Sequence, residues 1–218
     1  MSLTGSELSM CKLVDLLREL VQRSKILATP ADLLGILLVT TRGGPMGRAR
    51  LARSLGLGEG AARSLIQVAK RAGLVETSSR GVRPVESIVG ELSKLKVAEL
   101  APSSDVLPWS SAVLVQLCAR PPRLNKANAL RVRDGTVRWG ALGCVIAVNL
   151  RGGLLEAPGL DEPEILGSLK SELMGSVEEC EGVIGVLGRE SPYGRPWPLV
   201  YGFLEALCEV LAERLETT

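Results

Sequence analysis

The side chains with the most evident chemistry in this sequence are cationic, and they are concentrated. From Arg42 to Arg83 the chain carries nine Lys/Arg and two Asp/Glu, a net +7 (9 − 2) across 42 residues, whereas the whole chain is only +2. Within that stretch, about Glu59 to Ala72 has helical spacing. Ala62, Leu65, Ile66 and Ala69 recur at the helical period on one side. Gly60, Ser64, Gln67 and Arg71, flanked by Arg63, fall on the other. A helix face with hydrogen-bond donors and no large apolar group fits a DNA major groove, where the first helical turns meet base edges. Arg63, Ser64 and Gln67 are therefore the expected base contacts. Arg48, Arg50, Arg53, Lys70, Arg71, Arg80 and Arg83 are the expected phosphate contacts, because phosphates set affinity and register while base edges set specificity. The alternative is a solvated basic face on a protein-docking module; the coincident +7 favours double-stranded DNA.

Such a face must be held up by its neighbours. Leu51, Ala52 and Leu55 give a helix from about Gly47 to Gly56 its buried side, Gly56 permits a sharp turn, and Leu57 fills the angle. Gly58 stands where a capping Ser or Thr is more usual, with Glu59 compensating at the helix start. After Gly73, Leu74-Val75-Glu76-Thr77 and Val82-Arg83-Pro84 flank Ser78-Ser79-Arg80-Gly81 and read as a β-hairpin. Upstream, Ser6 to Ser24 carries a stripe of Leu13, Leu16, Leu17, Leu20 and Val21, and Thr29-Pro30-Ala31-Asp32 opens a second helix running to about Thr41. Glu86 to Leu100 has helical spacing through Ile88, Val89, Leu92 and Leu95. The sum is a winged helix-turn-helix with flanking helices. The stripes of Ser6–Ser24 and Glu86–Leu100 either pack inside the chain or form the seam of a homodimer, which would ask for a pseudo-palindromic operator.

Ala101-Pro102-Ser103-Ser104 combines turn chemistry with a change of charge, from +6 (15 − 9) over residues 1–104 to −4 (11 − 15) over 105–218. It predicts domains at 1–102 and 103–218. The second half reads as strand Val113–Cys118, a helix around Asp134–Ala141, strand Cys144–Asn149, a turn at Arg151-Gly152-Gly153 and strand Leu154–Ala157. A helix at about Glu162–Met174, strand Val183–Leu187 and a helix at about Leu199–Leu215 complete it. That order predicts an α+β fold, two layers with the helices on one sheet face. With aromatics at 3% of the chain, the gathering of Tyr193, Arg195 and Trp197 ahead of a helix holding Tyr201 and Phe203 is notable. It offers either an effector pocket for a small anionic molecule or a loop packed over the sheet edge.

Other chemistries find little support. With no histidine, Ser-His-Asp triads, Cys-His pairs and His-ligated zinc are excluded. The five cysteines, Cys11, Cys118, Cys144, Cys180 and Cys208, show no metal-ligand spacing, and four of them sit among Leu, Val and Ala, where small core hydrophobes are expected. Gly56-x-Gly58-x-Gly60 follows a helix rather than a strand, so it fails as a dinucleotide fingerprint, and Gly43-Gly44-Pro45-Met46-Gly47-Arg48 reads as a linker. No cofactor and no metal are expected. An enzyme or RNA-handling protein, docked through the first domain, would have to use Asp134, Glu156 or Cys144, which form no paired motif. No apolar run reaches the roughly 18 residues needed to span a bilayer, and Met1 to Met10 has no secretory pattern, so the expected compartment is the cytoplasm.

The stretch Ser79-Arg80-Gly81-Val82-Arg83-Pro84 resembles the wing and exit of winged-helix domains in prokaryotic transcription regulators. The pattern from Arg133 to Val148, with Glu181 to Leu187 and a final amphipathic helix, is similar to an archaeal family pairing a winged helix with a small α+β domain of unassigned function. That resemblance implies a regulator and supplies no catalytic residues.

Overall fold

The computed structural model describes residues 9–24, 26–102, 107–121, 123–150, 154–160, 162–173, 176–177, 180–191 and 194–216. They form eight helices and two antiparallel sheets, divided between two compact units, Met1–Ser93 and Lys94–Thr218.

The first unit contains α1 (Met10–Ser24), α2 (Pro30–Gly43), α3 (Arg48–Leu55), α4 (Glu59–Arg71), a hairpin of β1 (Val75–Ser78) and β2 (Gly81–Pro84), and α5 (Glu86–Leu92). A reciprocal cap starts α2: the Asp32 N–H donates to Thr29 Oγ1 at 3.2 Å, and the Thr29 N–H donates to Asp32 Oδ2 at 2.9 Å. Every residue from Ala31 to Leu38 is buried, because α1, α3, α4, α5 and β2 all pack around this helix. Each Leu or Ile so enclosed stabilises the unit by about 2 kcal/mol. On the α1 stripe Leu13 and Leu17 are fully buried, while Leu16, Leu20 and Val21 are half-buried.

The second unit contains β3 (Leu95–Leu100), β4 (Ala112–Leu117), α6 (Lys126–Arg138), β5 (Gly143–Leu150), β6 (Leu154–Glu156), α7 (Pro163–Leu173), β7 (Gly182–Gly188) and α8 (Trp197–Glu216). Its sheet runs β3-β4-β7-β5-β6, with every neighbouring pair antiparallel. On one face, Ala112, Leu114, Ala147, Ile184 and Val186 pack with Leu169 and Leu173 of α7. Gly185 points the opposite way, where a Cβ would strike the Phe203 ring of α8 at 2.5 Å, and α6 lies against β5. Helices therefore cover both sheet faces, and the expectation of two layers with helices on one side is corrected to three. The helices α6 and α8 meet where Gly135 abuts Ala206 and Gly202 abuts Trp139. Trp139 Nε1–H donates to Glu205 at 2.8 Å.

Three further expectations change. Glu86–Leu100 is not one helix: α5 stops at Leu92, and Leu95–Leu100 pair with β4 from Leu95↔Leu117 to Leu100↔Ala112. An available strand edge overrides a weak helical period. The division between units consequently falls at Ser93/Lys94 rather than near residue 102. The helix expected at Asp134–Ala141 is α6, which begins eight residues earlier behind Asn125, whose side chain accepts from the Asn128 N–H at 2.8 Å. Finally, Cys118 and Cys180 form a disulfide with Cα atoms 5.6 Å apart, not a pair of apolar fillers. The free thiol among the described residues is Cys144. The turn expected at Arg151–Gly153 lies outside the described residues.

Candidate nucleic-acid interface

The corner between α3 and α4 is built by Gly56, left-handed at φ 60° and ψ 34°. The Gly56 and Leu57 N–H groups donate back to Arg53 and Ala52 carbonyls at 3.1 and 2.9 Å. Leu51, Leu55, Ala62 and Leu65 are completely buried beneath the corner. On the outer side of α4, Gly60, Arg63, Ser64, Gln67 and Arg71 are all exposed. Among the described residues only Ser64 is engaged there: its hydroxyl donates to the Gly60 carbonyl at 3.2 Å, leaving its lone pairs open.

Beyond α4, β1 and β2 pair from Val75↔Pro84 to Ser78↔Gly81, so Ser79 and Arg80 form the tip. The Arg80 N–H donates to Ser78 Oγ at 3.1 Å. A third extended segment joins them: Met46 and Val82 exchange both backbone hydrogen bonds, each 3.0 Å. Gly81 makes this approach feasible. Its φ is +124°, and a Cβ there would stand 2.5 Å from the Met46 carbonyl carbon. The supposed linker Gly43–Arg48 is thus tied to the hairpin by an isolated bridge at Met46. The readable signal was Met46 itself, a buried apolar side chain between glycines and a helix.

All seven proposed phosphate contacts are exposed, and they differ in what holds them. Arg48 lies 3.5 Å from Glu59, Arg83 lies 2.8 Å from Glu76, and Lys70 donates to Thr77 at 3.0 Å. Arg50, Arg53, Arg71 and Arg80, together with Arg63, make no ion pair among the described residues. Exposed pairs like these are worth about 0–1 kcal/mol, so a phosphate can displace the carboxylates. Neither α3 nor α4 has a side-chain cap; Gly47 and Gly58 leave the first N–H groups to solvent. Glu59 therefore compensates only through charge, and it shares that charge with Arg48.

The aromatic gathering in the second unit is described only in part. Tyr193 lies outside the described residues, Arg195 is exposed, and Trp197 is half-buried at the start of α8. The Trp197 Nε1–H has no acceptor among the described residues. Tyr201 and Phe203 are fully buried core: Tyr201 meets the Trp139 ring edge-on with centroids 4.8 Å apart, and Phe203 lies under Gly185. The three residues weighed for catalysis do not converge. Asp134 is exposed and held by Arg133 at 2.8 Å, Glu156 is exposed on β6, and Cys144 is buried, which pushes its thiol up to about 12. No group of three or more His, Cys, Asp or Glu is poised to hold a metal ion among the described residues. No helix there is long and apolar enough to cross a membrane.

No family model and no curated protein matches the chain. Among solved structures, a hypothetical protein from Pyrococcus horikoshii OT3 is similar over 88% of this chain and 96% of its own, with a TM-score of 0.54 and 19% identity. The likeness is one of fold.

Proposed function

We propose that residues 1–93 are a winged helix-turn-helix that binds double-stranded DNA, and that the chain is a transcription regulator of the archaeal kind it resembles. In this reading α4 enters the major groove, Arg63, Ser64 and Gln67 meet base edges, and the β1–β2 hairpin is the wing. The reading takes the protein as a cytoplasmic homodimer on a pseudo-palindromic operator, with the second unit receiving a small-molecule effector. The observation that carries it is the outer face of α4: exposed, donor-bearing, free of large apolar groups and ringed by unpaired arginines.

The test is selection of bound sequences from a random duplex pool, followed by affinity measurements across salt. Seven phosphate contacts give a log–log slope of about −6. Arg63→Ala should cost about 1–3 kcal/mol and relax preference at one base pair, whereas Arg80→Ala should weaken all sequences alike. A flat salt profile, or no binding at low salt, ends the proposal.

A further inference from the structure

We propose that the second unit binds a small apolar monocarboxylate in the cavity between α6, the first half of β5 and the Pro158–Leu160 turn. The cavity measures about 180 Å³ and has apolar walls from Ala129, Leu130, Ile146 and Leu160. Its charged lining is wholly cationic, Lys126 and Arg133, with no acidic residue. Lys126, Ala129, Leu130 and Arg133 fall at i, i+3, i+4 and i+7, so one face of α6 presents the walls and the cations together.

The two cations differ. Asp134 holds Arg133 through Nε at 3.0 Å and Nη2 at 2.8 Å, whereas Lys126 makes no ion pair among the described residues. The Lys126 stem runs beside Gly159, where a Cβ would stand 3.3 Å from Cγ, leaving its ammonium to solvate at the mouth. On the opposite wall, β6 pairs only with Val148–Leu150, so Cys144–Ile146 have a strand on one side alone. Alternate residues of an antiparallel strand turn their N–H and C=O groups outward, and that open edge borders the cavity.

These features define the ligand. One cation without an ion pair among the described residues matches one negative charge, and apolar walls penalise a dianion such as a phosphate ester. Since an apolar cavity of about 150 Å³ accepts benzene, this one accommodates roughly eight to ten non-hydrogen atoms. A branched, linear or aryl-substituted short carboxylate fits both limits. The site names the effector class in the regulator reading and rests on that reading only for its consequence on DNA; ligand binding without DNA therefore separates the two.

Calorimetric titration of the full chain with 4-methylpentanoate, hexanoate and phenylacetate tests it, with 4-methylpentanamide and acetate as comparisons. At least one of the three carboxylates should bind saturably, and the amide and acetate at least about tenfold more weakly, as expected when a charge-assisted hydrogen bond or the apolar body is removed. Lys126→Gln should lower affinity roughly tenfold to a hundredfold at an unchanged melting temperature. Lys170→Gln, on α7 away from the cavity, should leave it unaltered. No saturable binding by any carboxylate up to about 10 mM, equal binding of acid and amide, or unchanged affinity in Lys126→Gln overturns the proposal. Carboxylate binding by a chain that fails to bind DNA would leave this site standing and remove the regulator reading.

Discussion

Glu76 and Arg83 face each other across the β1–β2 hairpin in directly opposed register, with the carboxylate Oε1 2.8 Å from the guanidinium Nε. The pair occupies one of the hairpin's two arginines. Glu76→Gln should therefore tighten duplex binding about two- to fivefold at low salt while moving stability by less than about 1 kcal/mol. Fluorescence anisotropy at two salt concentrations, beside a urea titration, measures both; weaker binding would mean that Arg83 does not contact DNA.

Gly81→Ala places a methyl group against the Met46 backbone at a φ of +124°. The expected result is a loss of about 2–4 kcal/mol from the first unit and a collapse of the Met46–Val82 bridge. Circular dichroism through a urea gradient reads the first, and amide exchange at Met46 and Val82 reads the second. Val82→Ala, which leaves the backbone path open, should preserve that exchange protection.

The Cys118–Cys180 bridge closes a separation of 62 residues. Loop-closure entropy then predicts a contribution of about 4 kcal/mol to the second unit. All three tryptophans, Trp109, Trp139 and Trp197, lie in that unit, so their fluorescence reports it selectively. The Cys118→Ala/Cys180→Ala variant, which removes this bridge alone, should shift its urea midpoint downward.

Burial raises the Cys144 thiol from the usual 9.0 to about 12. Below pH 9 both folded and unfolded chains keep this proton, and the group has no effect on stability. Between 9 and 12 only the unfolded chain releases it, so stability falls as pH rises, by up to about 1.4 kcal/mol per pH unit. Tryptophan-monitored urea midpoints from pH 8 to 10.5 should decline more steeply for the native protein than for Cys144→Ala. Equal slopes would contradict the assigned burial.

Much of the first unit can be read from sequence because its signals agree. The α4 stripe of Ala62, Leu65, Ile66 and Ala69 has one period, Gly56 and Gly73 mark the stops, and the hairpin turn carries Gly81. The second unit is less legible for identifiable reasons. In α6, Leu130 and Val137 are exposed at 40% and 43%, which erases the amphipathic pattern that would have revealed its first turns. Leu95 ends a helical period and begins a strand, a conflict resolved only by β4 alongside it. A distant cysteine pair carries no pairing information in its spacing. One signal was present: β4 (AVLVQL) and β7 (GVIGVLG) are almost entirely apolar, the mark of strands enclosed on both faces. On the candidate interface, charge and helix face were legible, whereas the Met46–Val82 bridge and the carboxylates holding Arg48 and Arg83 needed coordinates.

The contacts of Gly135 with Ala206 and of Gly202 with Trp139 leave no slack between α6 and α8. The first helix cannot slide or roll along the second without steric collision. A guest beside Lys126 therefore meets α6 as a fixed wall.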